Sequence, residues 1–276
     1  MANLLLFAAA ALVFFSSDSQ LVLAQGLDSL FDIVAGSVLA LSAWVASKPS
    51  DDNHPFGHER AEPIGALVTA VLAGVLAFEV FQSAVGTLLT GGTAVMSGAV
   101  AGVLGGKFLL KAVIWAAIIV PSQGLKSPAV DALRVDTRND LLACATSLIG
   151  FALVRSGYEW ADAALAIPVA FYIGLSGFSL ARENLRYLMG EAPSAEVLEE
   201  LSEKARDVEG VLMLENIRAQ HVGLLLHVEV EILIADQTSA TQGHDIGVEV
   251  QNCLEAHEAV SQVFVHINTN ASKPHS

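Results

Sequence analysis

Charged residues make up only 16% of this 276-residue chain, against about a quarter in an ordinary soluble domain. With 53% hydrophobic residues, that shortage excludes a typical soluble globular protein and makes the bilayer the first solvent to consider. Bases are scarcer still, 14 Lys and Arg against 29 Asp and Glu, and the absence of a basic patch excludes nucleic acid as a partner. The two cysteines, Cys144 in an apolar run and Cys253 in an acidic tail, build no disulfide framework and fit a reducing compartment for the tail. Neither a His-Glu-x-x-His zinc helix nor a serine-nucleophile signature is present, which argues against a membrane-embedded metallohydrolase and against an enzyme in general.

Long apolar stretches are what the sequence has in quantity. A spanning helix needs about 20 mostly apolar residues, and stretches at 2–16, 20–46, 62–90, 96–121, 128–154 and 160–188 predict six transmembrane helices. The first is short. It has the apolar core of a signal sequence but lacks a basic leading region and a small-residue cleavage site, so it reads as a membrane helix. Lys48, Arg60, Lys126, Arg182 and Arg186 gather at one set of helix ends, with mainly Arg155 at the other. Bases in excess mark the cytoplasmic side, which predicts both termini there, in a protein integral to the bacterial inner (plasma) membrane.

Charge also divides the chain near Gly190. Residues 1–190 hold 14 acids and 10 bases (net −4), and residues 191–276 hold 15 acids and 4 bases (net −11). The tail reads as α-β-β-α-β: a helix over 194–207, strands over 212–220 and 224–233, a helix over 240–256 and a strand over 260–268. In the second strand Val228, Val230 and Ile232 alternate with Glu229 and Glu231. Two helices on a small mixed sheet make an α+β, ferredoxin-like domain lacking its first strand.

Within this apolar background the acids stand out. The second span carries Asp28 and Asp32, the fifth Asp136 and Asp140. Residues four apart share a helical face, so each pair can converge on one ion. A carboxylate at membrane depth costs at least about 2.5 kcal/mol, and a dication shared by two pairs offsets that cost. The alternative is pairing with Arg134 and Arg138, or a place at the helix ends. Lys107 and Lys111 face the same cost in the fourth span, lining the bundle interior or snorkelling, and the sequence names no partner for them. Between the second and third spans, DDNHPFGHERAE places Asp51, Asp52, His54 and His58 within eight residues, where Pro55 and Gly57 impose a turn. Imidazole and carboxylate at that density suit a borderline cation, and a solvated polar loop is the competing reading.

Together, Asp28-x-x-x-Asp32, the DDNHPFGHERAE loop, the acidic pair of the fifth span, the LMGEAPS exit from the sixth and the ferredoxin-like tail resemble the cation diffusion facilitator family over nearly the whole chain. The resemblance implies a homodimer embedded in the lipid bilayer that exchanges a cytoplasmic divalent metal for protons and dimerises through its tail. It implies a transport site at Asp28, Asp32, Asp136 and Asp140, a loop site at Asp51, His54 and His58, and tail ligands among Glu215, Glu231, His244 and His266, of which Glu231, His244 and His266 are the set to test. Metal is then substrate, with no catalytic cofactor. Zinc members of the family commonly carry His where this chain has Asp136; four oxygen ligands suit harder ions, and the acidic pair on both helices resembles the manganese-type branch. Manganese is therefore favoured, with iron, zinc or cobalt as alternatives. A non-transporting metal sensor or assembly scaffold with the same fold is the rival reading.

Overall fold

The computed structural model describes residues 20–90, 98–125, 127–158 and 160–269, without the side chains of 20–28 and 98–100. The first predicted span, residues 2–16, lies outside the described residues, as does the side chain of Asp28. The chain divides into two compact units, residues 1–185 and 186–276.

Helices α1 (Gln20–Ala46), α2 (Ala61–Thr90), α3 (Gly98–Ile114), α4 (Pro128–Arg155) and α5 (Ala161–Leu188) correspond to the second to sixth predicted spans. Helix α3 runs on into a π-helical turn, Trp115–Ile119, whose last bond is donated by Val120 N–H to the Trp115 carbonyl at 2.9 Å. Among the described residues, α1, α2, α3 and α5 contain stretches long and apolar enough to cross a bilayer. Helix α4 does not, because Asp131, Arg134, Asp136, Arg138 and Asp140 crowd its first half. Its start is set by Ser127, an extended residue whose Oγ accepts from the Val130 N–H at 3.3 Å, followed by Pro128, whose missing N–H costs nothing in a first turn. The same Oγ donates to Glu62 at 2.7 Å, so the entrances to α2 and α4 are tied together.

Polarity in this unit is inverted relative to a soluble protein. Phe78 and Phe178 are 67% and 69% exposed, whereas Lys107, Lys111, Asp32 and Asp140 are each buried. Lipid takes the apolar outside and the polar side chains turn inward. Small residues let helices approach: a Cβ on Gly177 of α5 would stand 3.1 Å from the Ala70 carbonyl oxygen of α2.

The second unit comprises α6 (Ala195–Arg206), β1 (Met213–Val222), β2 (Leu225–Leu233), α7 (Ala240–Glu255) and β3 (Val260–Asn268). The sheet order is β1-β2-β3, antiparallel between β1 and β2 and parallel between β2 and β3. This is the mixed ferredoxin-like sheet that the alternation predicts: Val228, Val230 and Ile232 are buried in a core shared with Leu201 and Ala205 of α6 and Val250 and Leu254 of α7, while Glu229 faces out. Ser239 and Gln242 form a reciprocal capping box that starts α7. One irregularity breaks the ladder, an extra residue at Glu215 between the Leu214–Ile232 and Asn216–Glu231 pairs.

Candidate metal-transport site

Asp136 and Asp140 are one turn apart on α4, so both carboxylates reach toward α1, where Asp32 meets them. One oxygen from each of the three lies within 4.8 Å of the other two. That spacing is comparable to the span across a six-coordinate dication with oxygens about 2.2 Å from the metal. Asp28 sits one helical turn before Asp32 on the backbone of α1.

Helix α3 sends two cations into the same place. The Lys107 ammonium is 3.2 Å from Asp32 Oδ2 and 3.7 Å from Asp140 Oδ1. The Lys111 ammonium is 3.5 Å from Asp32 Oδ2 and 3.4 Å from Asp136 Oδ2, and it also pairs with Asp140. Both lysine side chains are only 3% exposed, so these are ion pairs withdrawn from water rather than snorkelling side chains. The pairing with Arg134 and Arg138 that the sequence leaves open is not what forms. Arg134 pairs with Asp131 one turn back, and the Arg138 guanidinium stacks 5.4 Å from the Tyr172 ring. The spacing of Lys107 and Lys111, four residues apart like each acidic pair, puts both on one face of α3 but does not name their partners.

The loop residues also come together. Asp51 Oδ1 accepts from the backbone N–H groups of Asn53 at 3.0 Å and His54 at 2.7 Å, and it lies 3.2 Å from His54 Nδ1. These bonds, the one to the His54 backbone foremost, hold the Asp51 carboxyl below its ordinary proton affinity although it is exposed. His58 Nδ1 lies 3.1 Å from the Pro49 carbonyl oxygen, and its Nε2 lies 3.5 Å from Asp51 Oδ2. Gly57, at φ +83°, supplies the left-handed residue that brings His58 back toward Asp51. Ligand atoms of Asp51, His54 and His58 all lie within 4.8 Å of one another.

The tail candidates do not assemble in this way among the described residues. Glu231 and His266 are register partners on β2 and β3, but Glu231 accepts from Asn216 Nδ2 at 3.1 Å, and no three-ligand group forms with His244. Glu215, pushed out by the bulge, accepts from Asn268 Nδ2 at 2.8 Å.

Residues 1–189 match the family described as the cation efflux transmembrane domain, and residues 193–270 match the cation efflux protein cytoplasmic domain. The chain belongs to the cation efflux, or cation diffusion facilitator, family. This cation efflux protein is 29% identical to an uncharacterised transporter of Methanocaldococcus jannaschii, covering 90% of this chain and 87% of that one. It is 26% identical to the manganese efflux system protein MneP of Bacillus subtilis, over 97% of this chain and 92% of the relative. Its tail is similar to the nickel form of a MamM C-terminal domain variant, which covers 27% of this chain and 98% of that one at 22% identity and a TM-score of 0.26. The cation efflux protein is an integral membrane transporter of divalent metal cations, not an enzyme.

Proposed function

We propose that this transporter exports manganese in exchange for protons, as a homodimer in a plasma membrane with both termini cytoplasmic. The observation that carries the reading is the convergence of Asp32, Asp136 and Asp140 on one point inside the helical unit. Asp28, one turn earlier on α1, is the fourth ligand. All of these ligands are oxygens, which favour manganese over softer cations. Zinc still outranks manganese in intrinsic affinity at a common site, so preference has to come from geometry and availability. The similarity to a manganese efflux protein supports the same choice. Metal and protons compete for the same carboxylate oxygens, so a helix bundle that opens alternately to the two sides of the membrane exchanges one for the other. Asp51, His54 and His58 form a second cation position beside the entrance to α2, whereas the tail set Glu231, His244 and His266 gains no such support from its geometry.

The test is metal flux into proteoliposomes for Mn2+, Fe2+, Zn2+ and Co2+ under an imposed pH difference, with the parent and Asp136→His compared. Manganese flux should fall when the proton gradient is collapsed, and the histidine variant should shift preference toward zinc. Flux indifferent to the gradient sinks the antiport. An unchanged preference in the variant removes the ligand argument for manganese. A protein that binds metal but moves none in sealed vesicles is the sensor or scaffold instead.

A further inference from the structure

Two positive charges sit inside a cluster whose reading calls for a third cation carrying two more. Lys111 presents three N–H donors, and three carboxylates surround it: Asp32, Asp136 and Asp140. Lys107 adds a second ammonium to Asp32 and Asp140 from one turn earlier on α3. Every carboxylate of the cluster that the structure describes is therefore engaged by an ammonium group. A dication bound to the same oxygens would lie within about 4 Å of both nitrogens, where buried like charges repel far above thermal energy. An ammonium group and a dication drawing on the same carboxylates therefore oppose one another.

We propose that Lys107 and Lys111 are tethered competitors of the transported metal: the ammonium groups and the dication exchange places on Asp32, Asp136 and Asp140, so the chain carries its own counter-cation and metal binds only by displacing it. The inference rests on the reading of these aspartates as transport ligands. It adds that α3, which supplies no metal ligand, sets the affinity of the site. The four-carbon stems of the lysines give the ammonium groups the freedom to withdraw while the backbone of α3 stays in place. A competitor fixed to the protein is always present at the same effective concentration, so it raises the Kd of every cation at this site by the same factor and leaves only tight binders bound at low concentration.

Binding of Mn2+ to the purified full-length protein, followed by titration calorimetry, tests this with Lys107→Met, Lys111→Met and the charge-preserving Lys107→Arg and Lys111→Arg. Each methionine variant should tighten the Mn2+ Kd by about tenfold or more, and the arginine variants should not tighten it. An unchanged or weaker Kd in both methionine variants overturns the proposal, because a lysine that only props the carboxylates in place would lose affinity when removed. Asp140→Asn separates the two layers. If it binds Mn2+ like the parent, the ligand reading fails and the competition idea with it; if it loses Mn2+ binding, the ligands stand and the lysine variants alone decide. Should the methionine variants fail to fold, amine acylation of the parent mapped by peptide mass spectrometry gives the same answer. Saturating Mn2+ should increase labelling of Lys107 and Lys111, and unchanged or reduced labelling overturns the exchange.

Discussion

His221, near the end of β1, shows how a single side chain couples to pH in this protein. It is half-buried, meets the Tyr187 ring edge-on at 5.1 Å, and its backbone N–H donates to the Glu191 carbonyl at 3.0 Å. Burial disfavours the imidazolium, and the neighbouring Arg186 adds to this, so the folded chain holds the proton less tightly than the ordinary value of 6.5, although Glu191 works the other way. The unfolded chain then binds more protons, so stability here rises with pH through the ordinary imidazole range and falls as pH drops below it. Hydrogen exchange of the Ala219–Val222 amides, corrected for intrinsic chemistry, should be faster at about pH 5.5 than at about pH 7.5. His221→Phe should flatten that dependence, and an equally steep profile in the variant would show that another group is responsible. Beside it, the Glu191 carboxylate pairs with Arg186 on the same unit, one oxygen accepting from Nη2 at 2.6 Å.

Among the elements, packing between helices sets the tightest constraint. Gly177 on α5 faces the Ala70 carbonyl, a backbone atom that cannot rotate away, whereas Gly102 on α3 has open space where a side chain would go. Gly177→Leu should therefore destabilise by about 1–3 kcal/mol through overpacking, visible as a lower melting temperature in detergent. Gly102→Leu should melt like the parent, and equal melting of the two variants would show that α2 and α5 do not meet closely in solution. Elements were legible to different degrees for physical reasons. The strands of the tail announce themselves because one sheet face is buried and the other wet, which writes Val228, Val230 and Ile232 against Glu229 and Glu231. Helix α4 is legible in the sequence as the stretch over 128–154, but it is less apolar than the other spans, since Asp136 and Asp140, the proposed ligands, lie among the charged residues that lower its hydropathy. The bulge at Glu215 carries no local signal, because an extra residue in one strand is defined only by its partner strand.

For the whole molecule, the question is how far the site depends on the acidic tail. The three described aspartates and both lysines all belong to residues 32–140, within the first compact unit, while the tail has its own core built from α6, α7 and the sheet. Aspartate spacing made this placement readable in the sequence, since two pairs on two apolar spans already fix the helices that must meet; the lysines were readable as residues but not as partners, because nothing in a linear chain says which face of α3 turns inward. Sites in separately built cores contribute nearly independently, so deleting residues 192–276 should leave the Mn2+ Kd of the aspartate site within about twofold. The same deletion should weaken the proposed dimer, since the tail is the part assigned to dimerisation. Calorimetry for Mn2+ and light scattering for mass, both on the truncated protein in detergent, separate the two effects. A truncated monomer with parental affinity is the expected result. A Kd weakened by tenfold or more, about 1.4 kcal/mol, would mean that the tail holds the ligand helices in register, and the independence inferred from two separate cores would be wrong.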